Sequence, residues 1–79
     1  MGRSEIMNAV KRVLWSEQSE ECEIEVVDRL SAGGLRVIRG DALRGLSPLN
    51  YLVLRDGTCI PLHRVRRIKC GERVLAERG

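Results

Sequence analysis

Asp56-Gly57-Thr58-Cys59-Ile60-Pro61-Leu62-His63-Arg64-Val65-Arg66-Arg67 is the stretch whose reading decides the fold. Asp-Gly between apolar runs is a strong hairpin signal, because both central residues of a type I′ turn take positive φ. The strand leading in, Tyr51-Leu52-Val53-Leu54, is apolar on both faces and is therefore expected at the centre of its sheet. The strand leading out, Cys59-Ile60, is short, because Pro61 lacks the N–H that a ladder needs. Proline's fixed φ suits the start of a helical turn, so Pro61–Arg64 is read as one, anchored inward by Leu62 and Val65. This turn leaves His63, the chain's single histidine, at a corner beside Arg64, with Arg66 and Arg67 following at once.

Upstream, Ser4 is a good N-cap, and Ile6, Val10, Val13 and Leu14 fall on one helical stripe. Trp15 closes that helix and is expected to cap one end of the core, with ligand stacking as the alternative. Cys22, Ile24 and Val26 alternate with Glu23 and Glu25, which predicts a half-buried strand with an acidic, solvated outer face. Ser31–Gly34 is a turn and Leu35–Arg39 a returning strand. The segment 40–50 reads as a loop with one helical turn at Asp41–Arg44. Arg66–Cys70 and Arg73–Glu77 flank Gly71-Glu72, glycine first, as a type II′ turn requires. One helix and five short, hairpin-linked strands predict a mainly β, α+β domain. The expected form is an N-terminal helix followed by a small, partly open five-stranded SH3/Sm-like barrel, one domain over 1–79.

The apolar fraction of 43% and charged fraction of 32% suit a globule and argue against disorder. Neither a membrane span nor a signal peptide is evident, so no membrane partner is expected and a cytoplasmic location is. Cys22, Cys59 and Cys70 are odd in number and form no C-x-x-C pair, which favours buried free thiols over a disulfide or a zinc site. No metal and no cofactor is expected. Charge is unevenly laid out. Residues 17–28 carry six acids and no base, whereas 58–79 carry six bases against Glu72 and Glu77. The chain's net charge is +3, so an acidic flank faces a basic remainder able to orient a polyanion.

Catalytic motifs are lacking: there is no G-x-S-x-G, P-loop or H-E-x-x-H, and one histidine lacks the second group that phosphodiester acid–base chemistry needs. Gly33-Gly34 reads as a turn, not a phosphate loop. By contrast, Arg64, Arg66, Arg67, Lys69 and Arg73 cluster on or beside one hairpin, where a small barrel would bring Arg29, Arg36 or Arg39 to the same rim. Guanidinium forks fit phosphate oxygens. Trp15 and Tyr51 are the only aromatics, which excludes a multi-base stacking platform.

The run Ile60-Pro61-Leu62-His63-Arg64-Val65, followed by Ile68, Gly71, Val74 and a basic end, resembles the C-terminal signature of a small archaeal family. That family, whose usual form is Ile-Pro-Tyr/Phe-His-Arg-Ile, is described as the RNA cyclic group end recognition domain. A helix ending Val13-Leu14-Trp15, and Val26-Val27-Asp28-Arg29 where the family tends to show Val-x-His-Arg-Gly, extend the resemblance over nearly the whole chain. It implies recognition of RNA ends bearing a 2′,3′-cyclic phosphate by His63 and Arg64, with Arg29 from the first hairpin. Two departures stand out. Leu62 replaces the aromatic, removing a possible stacking surface, and Asp28 and Leu30 replace a histidine and a glycine.

The expectation is thus a non-enzymatic RNA-binding module: Arg29, His63 and Arg64 at a terminal phosphate, and Arg66, Arg67 and Lys69 on the neighbouring backbone. The alternatives are a module docking a protein partner through a strand edge or the acidic 17–28 flank, and a phosphodiesterase using His63. Oligomeric state is not legible.

Overall fold

In the computed structural model, which describes residues 3–78 apart from the side chains of residues 3, 4 and 32, the apolar stripe forms helix α1 (Arg3–Leu14). Ile6, Ala9, Val10 and Val13 are its buried face, and Lys11 and Arg12 sit in its last turn, where the helix dipole favours cations. The expected N-cap, Ser4, falls inside the helix, and its side chain lies outside the described residues. Trp15 does not cap the core; it is 80% exposed. At about 100° per residue it sits roughly 200° round from Val13, on the solvent side of the stripe.

Seven strands follow: β1 (Cys22–Val27), β2 (Leu35–Arg39), β3 (Leu43–Leu46), β4 (Tyr51–Leu54), β5 (Cys59–Pro61), β6 (Val65–Cys70) and β7 (Arg73–Glu77). All pair antiparallel, in a four-stranded sheet ordered β2-β1-β6-β7 and a three-stranded sheet ordered β3-β4-β5. The mainly β, α+β class with an N-terminal helix therefore holds, while the strands number seven in two sheets rather than five in one barrel. β3 is the addition. The helical turn expected at Asp41–Arg44 is instead a 3₁₀ turn at Gly40–Ala42, and Leu43 onward pairs with β4. As expected, β4 lies at the centre of its sheet.

The decisive hairpin has a different turn from the one expected. Gly57 has φ 93°, but Asp56 does not have positive φ, so the turn is not type I′. A three-residue loop, Arg55-Asp56-Gly57, is closed by Gly57 N–H donating to the Leu54 carbonyl at 3.0 Å and Leu54 N–H donating to the Thr58 carbonyl at 2.8 Å. This is the pattern in which a left-handed glycine follows a tight turn. The register that results sets Tyr51 opposite Pro61, so the proline joins the strand rather than ending the pairing before it. Leu62–Arg64 then forms the expected turn, with Leu62 and Val65 buried.

One apolar cluster joins the helix to both sheets, including Val10, Ile24, Leu52, Leu62 and Ile68, all 2% exposed or less. The two inner cysteines are not free thiols. Cys22 and Cys70 stand directly opposite in the β1–β6 pair and are disulfide-bonded, leaving Cys59 as an exposed thiol. No helix among the described residues is long and apolar enough to cross a membrane.

Two tests follow from this packing. The disulfide closes a separation of 48 residues. Reduction should lower unfolding free energy by about 2–4 kcal/mol, read from denaturant midpoints with and without reductant. A Cβ at Gly40 would sit 2.9 Å from Cys22 Cβ and Val13 Cγ1 and also strike the Ser19 backbone carbonyl, whereas one at Gly45 meets nothing within 4 Å. Gly40→Ala should therefore cost about 1–3 kcal/mol, and Gly45→Ala no more than about 0.5 kcal/mol, in thermal or chemical unfolding.

Candidate functional site

Antiparallel pairing brings the residues just after β1 against those just before β6. The ladder runs from Cys22↔Cys70 to Glu25↔Arg67 and, after a register shift between Glu25 and Val26, ends at Val26↔Val65. Beyond that end, Val27, Asp28, Arg29, Leu30, His63 and Arg64 line an open hollow of about 570 Å³. A second hollow of about 240 Å³ shares Val27, His63 and Arg64 and is completed by Val65, Arg66 and Arg78.

Local hydrogen bonds fix both walls. Asp28 N–H donates to the Gly34 carbonyl at 2.9 Å and Ser31 N–H to the Asp28 carbonyl at 3.1 Å. The Asp28 carboxylate accepts from Leu30 N–H at 3.0 Å through Oδ1 and from the Ser31 hydroxyl at 3.1 Å through Oδ2. On the other wall, Arg78 Nη1 donates to the His63 carbonyl at 2.6 Å and Arg78 N–H to the Arg66 carbonyl at 2.7 Å, so the chain's end straps the corner. The Leu30 N–H bond, then the Ser31 hydroxyl, and then the nearby charges of Arg36 and Arg64 hold the Asp28 carboxyl below its usual range. His63, Arg29, Arg64 and Arg66 are exposed. Among the described residues no carboxylate pairs with any of these three arginines.

The six residues singled out in the sequence therefore divide. Arg29, His63 and Arg64 share the main hollow and Arg66 joins them at the second. Arg67 and Lys69 lie apart on the outer face of the four-stranded sheet, lining neither hollow. Arg67 Nε is ion-paired with Glu25, its Nη1 reaches Glu77 at 3.4 Å, and Lys69 Nζ pairs with Glu23 at 3.3 Å. Glu25's hydrogen bond and charge, with Glu77 behind them, raise the Arg67 pKa further above its ordinary value. Arg39 is paired with Asp41 at 3.0 Å, and Arg36 lines a separate groove beside Val37, Leu54 and Arg55. The acidic strand face is not simply solvated, since Glu23 and Glu25 are half-buried partners of these bases.

Residue 62 faces the core, so Leu62 in place of an aromatic takes no surface away from the site. Sequence reasoning missed Arg78 and the third hollow at His63, of about 250 Å³, lined by Leu49, Asn50, Tyr51, Pro61, Leu62 and His63. The Tyr51–Pro61 pairing was hidden by the turn type, since counting outward from a two-residue Asp56-Gly57 turn would set Tyr51 opposite Leu62; nothing local announced Arg78. Among the described residues no three His, Cys, Asp or Glu side chains gather as a metal site would require.

Comparison with known proteins adds relatives from archaea. The chain is 42% identical over 64 residues to a UPF0248 protein of Methanopyrus kandleri, covering 81% of this chain and 84% of the relative. It is 38% identical over 68 residues to UPF0248 proteins of two Saccharolobus islandicus strains, with the same coverage of 81% and 84%. No family model matches, and neither does a solved structure.

The depressed Asp28 pKa carries a sign. The stabilisation from its hydrogen bonds is present in full above the unfolded pKa and is lost as pH falls through the lower folded value. In a carboxyl NMR titration Asp28 should protonate below the usual value of about 3.9. Asp28→Asn should flatten this part of the acid limb of stability below about pH 4.

Proposed function

This chain belongs to the archaeal UPF0248 family, and from that premise we propose that it is a non-enzymatic RNA-binding module that grips a terminal phosphate. One observation carries the reading: two guanidinium groups without carboxylate partners, Arg29 and Arg64, converge with an exposed imidazole, His63, in a single hollow. A phosphate there would accept charge-assisted hydrogen bonds from both forks and from the imidazole. Arg66 and Arg78 in the adjoining hollow would take the next phosphate of the strand. Arg67 and Lys69, engaged by carboxylates, set the strand register and are left out of the RNA contact.

The resemblance of Pro61-Leu62-His63-Arg64 to an RNA-end signature supports a 2′,3′-cyclic phosphate as the preferred terminus. Binding without turnover is supported by the state of the one acid in the hollow. Asp28 is already engaged by Leu30 and Ser31, so His63 has no free carboxyl beside it to complete an acid–base pair.

Titration with matched oligonucleotides ending in cyclic phosphate, linear phosphate or hydroxyl tests the proposal. Affinity should be highest for the cyclic end and lowest for the hydroxyl end. With four phosphate-facing arginines, Arg29, Arg64, Arg66 and Arg78, log affinity should fall against log salt with a slope of about −3. Arg64→Ala should weaken every RNA roughly tenfold and make the slope shallower by about 0.7. Arg67→Ala should lower stability and leave the slope nearly unchanged. A salt-independent isotherm, or equal affinity for all three ends, would sink the end-binding reading.

A further inference from the structure

Three hollows meet at His63, and the third differs in chemistry from the other two. Tyr51 and Pro61 stand opposite one another in the β4–β5 pair and, with Leu49, make an apolar patch at the surface. Leu49 is 79% exposed and Tyr51 39%, so a tight turn and a strand end present apolar atoms to water beside a cationic site. The backbone of the segment is tied together by hydrogen bonds. Asn50 N–H donates to the Ser47 carbonyl at 3.0 Å, Ser47 N–H to the Tyr51 carbonyl at 2.8 Å, and Leu62 N–H to the Asn50 carbonyl at 2.9 Å. Leu49 N–H is held in addition by the Ser47 hydroxyl at 3.1 Å.

Asn50 is the chain's one described non-glycine residue with positive φ, at 64°. Asparagine tolerates that conformation better than most residues, and here the backbone on both sides is engaged. Its side-chain amide makes no hydrogen bond among the described residues, although it lines the hollow. A donor and an acceptor held in one plane beside an aromatic face are what recognition of an unpaired base uses. The volume of about 250 Å³ falls below the roughly 300–1,000 Å³ of drug-sized pockets, which suits one planar ring system.

We propose that the Leu49-Asn50-Tyr51-Pro61 hollow is a nucleobase subsite that takes the base of the same terminal nucleotide whose phosphate sits at Arg29, His63 and Arg64. This rests on the phosphate-end reading above. The two hollows share His63 as their common wall, so sugar and phosphate lie on one side of the imidazole and the base on the other. Tyr51 supplies the stacking face, Leu49 and Pro61 the apolar surround, and Asn50 the polar edge. The patch holds a single aromatic, so it reads one base and not a run of them.

The experiment compares short RNAs with cyclic-phosphate ends whose last residue is either adenosine or an abasic ribose. The wild-type chain should bind the adenosine end roughly tenfold more tightly. Tyr51→Ala should close most of that gap while leaving the abasic affinity unchanged. Asn50→Gly keeps a residue at ease with positive φ, so the turn survives, and it should lose severalfold in adenosine affinity alone. Equal wild-type affinity for the two ends, with Arg64→Ala still weakening both, overturns the base subsite and leaves the phosphate reading standing. Failure of the wild-type chain to bind either RNA overturns both.

Discussion

Everything at the His63 corner depends on the pairing of β1 with β6. The pair holds Ile24 opposite Ile68, both wholly buried, and antiparallel direction then fixes which loops meet at its far end. A slip of one residue would turn this apolar pair to solvent and its charged neighbours inward, which makes the register steeply favoured. The outer face repeats the instruction in charge, because Glu25 meets Arg67 and Glu23 meets Lys69 across the same two strands. Opposite-charge cross-strand pairs contribute about 0.2–1 kcal/mol each, little for stability but consistent in sign with the one register. The Cys22–Cys70 disulfide closes the end remote from the site.

The same geometry explains why the bases of β6 do different work. Arg64 lies just before the strand and Arg66 at its entrance, where the partner strand has ended or shifted register, and neither is ion-paired among the described residues. Arg67 and Lys69 lie within the regular ladder, where an acidic strand runs opposite. Identical side-chain chemistry is therefore structural in the ladder and available to a ligand beyond it. The acidic 17–28 segment, which looked like a separate flank, is in part the counter-charge of this arrangement.

How much of this was legible depended on whether the cause was local. The helix stripe, the Leu35–Arg39 strand and the turn read at Pro61–Arg64 are set by residues a few positions apart, and each stands within a residue of where the pattern put it, the turn beginning at Leu62. β3 was hidden because Leu43-Arg44-Gly45-Leu46 is too short for alternation to outweigh a glycine, and only pairing with β4 makes it a strand. Trp15 misled because size argued for burial while its angular position argued against it. The disulfide was invisible for a different reason: a spacing of 48 residues says nothing until the β1–β6 register is known. At the site, Arg29, His63 and Arg64 could be named from sequence, but the separation of Arg66 from Arg67 needed the strand edges. Arg78 needed the fold itself.

A hollow with so few free cations is a poor track for a long polyanion and a fair seat for the end of one. Long-range binding to nucleic acid accumulates affinity from many phosphate contacts, each releasing counterions. Around His63 there are four basic side chains, one of which, Arg78, is already strapped to the backbone beneath. With so small a share of electrostatic affinity, discrimination has to come from groups that occur once per strand. A terminal phosphate offers extra unesterified or strained oxygens to converging donors, and a terminal base has no downstream neighbour covering one of its faces. On the proposed reading, the corner would meet these two features with an exposed imidazole beside two guanidinium groups and with a tyrosine face directly after a hydrogen-bonded turn. The limited size of the domain thus becomes the physical argument for ends over middles: a surface too small to follow a chain can still enclose its last residue.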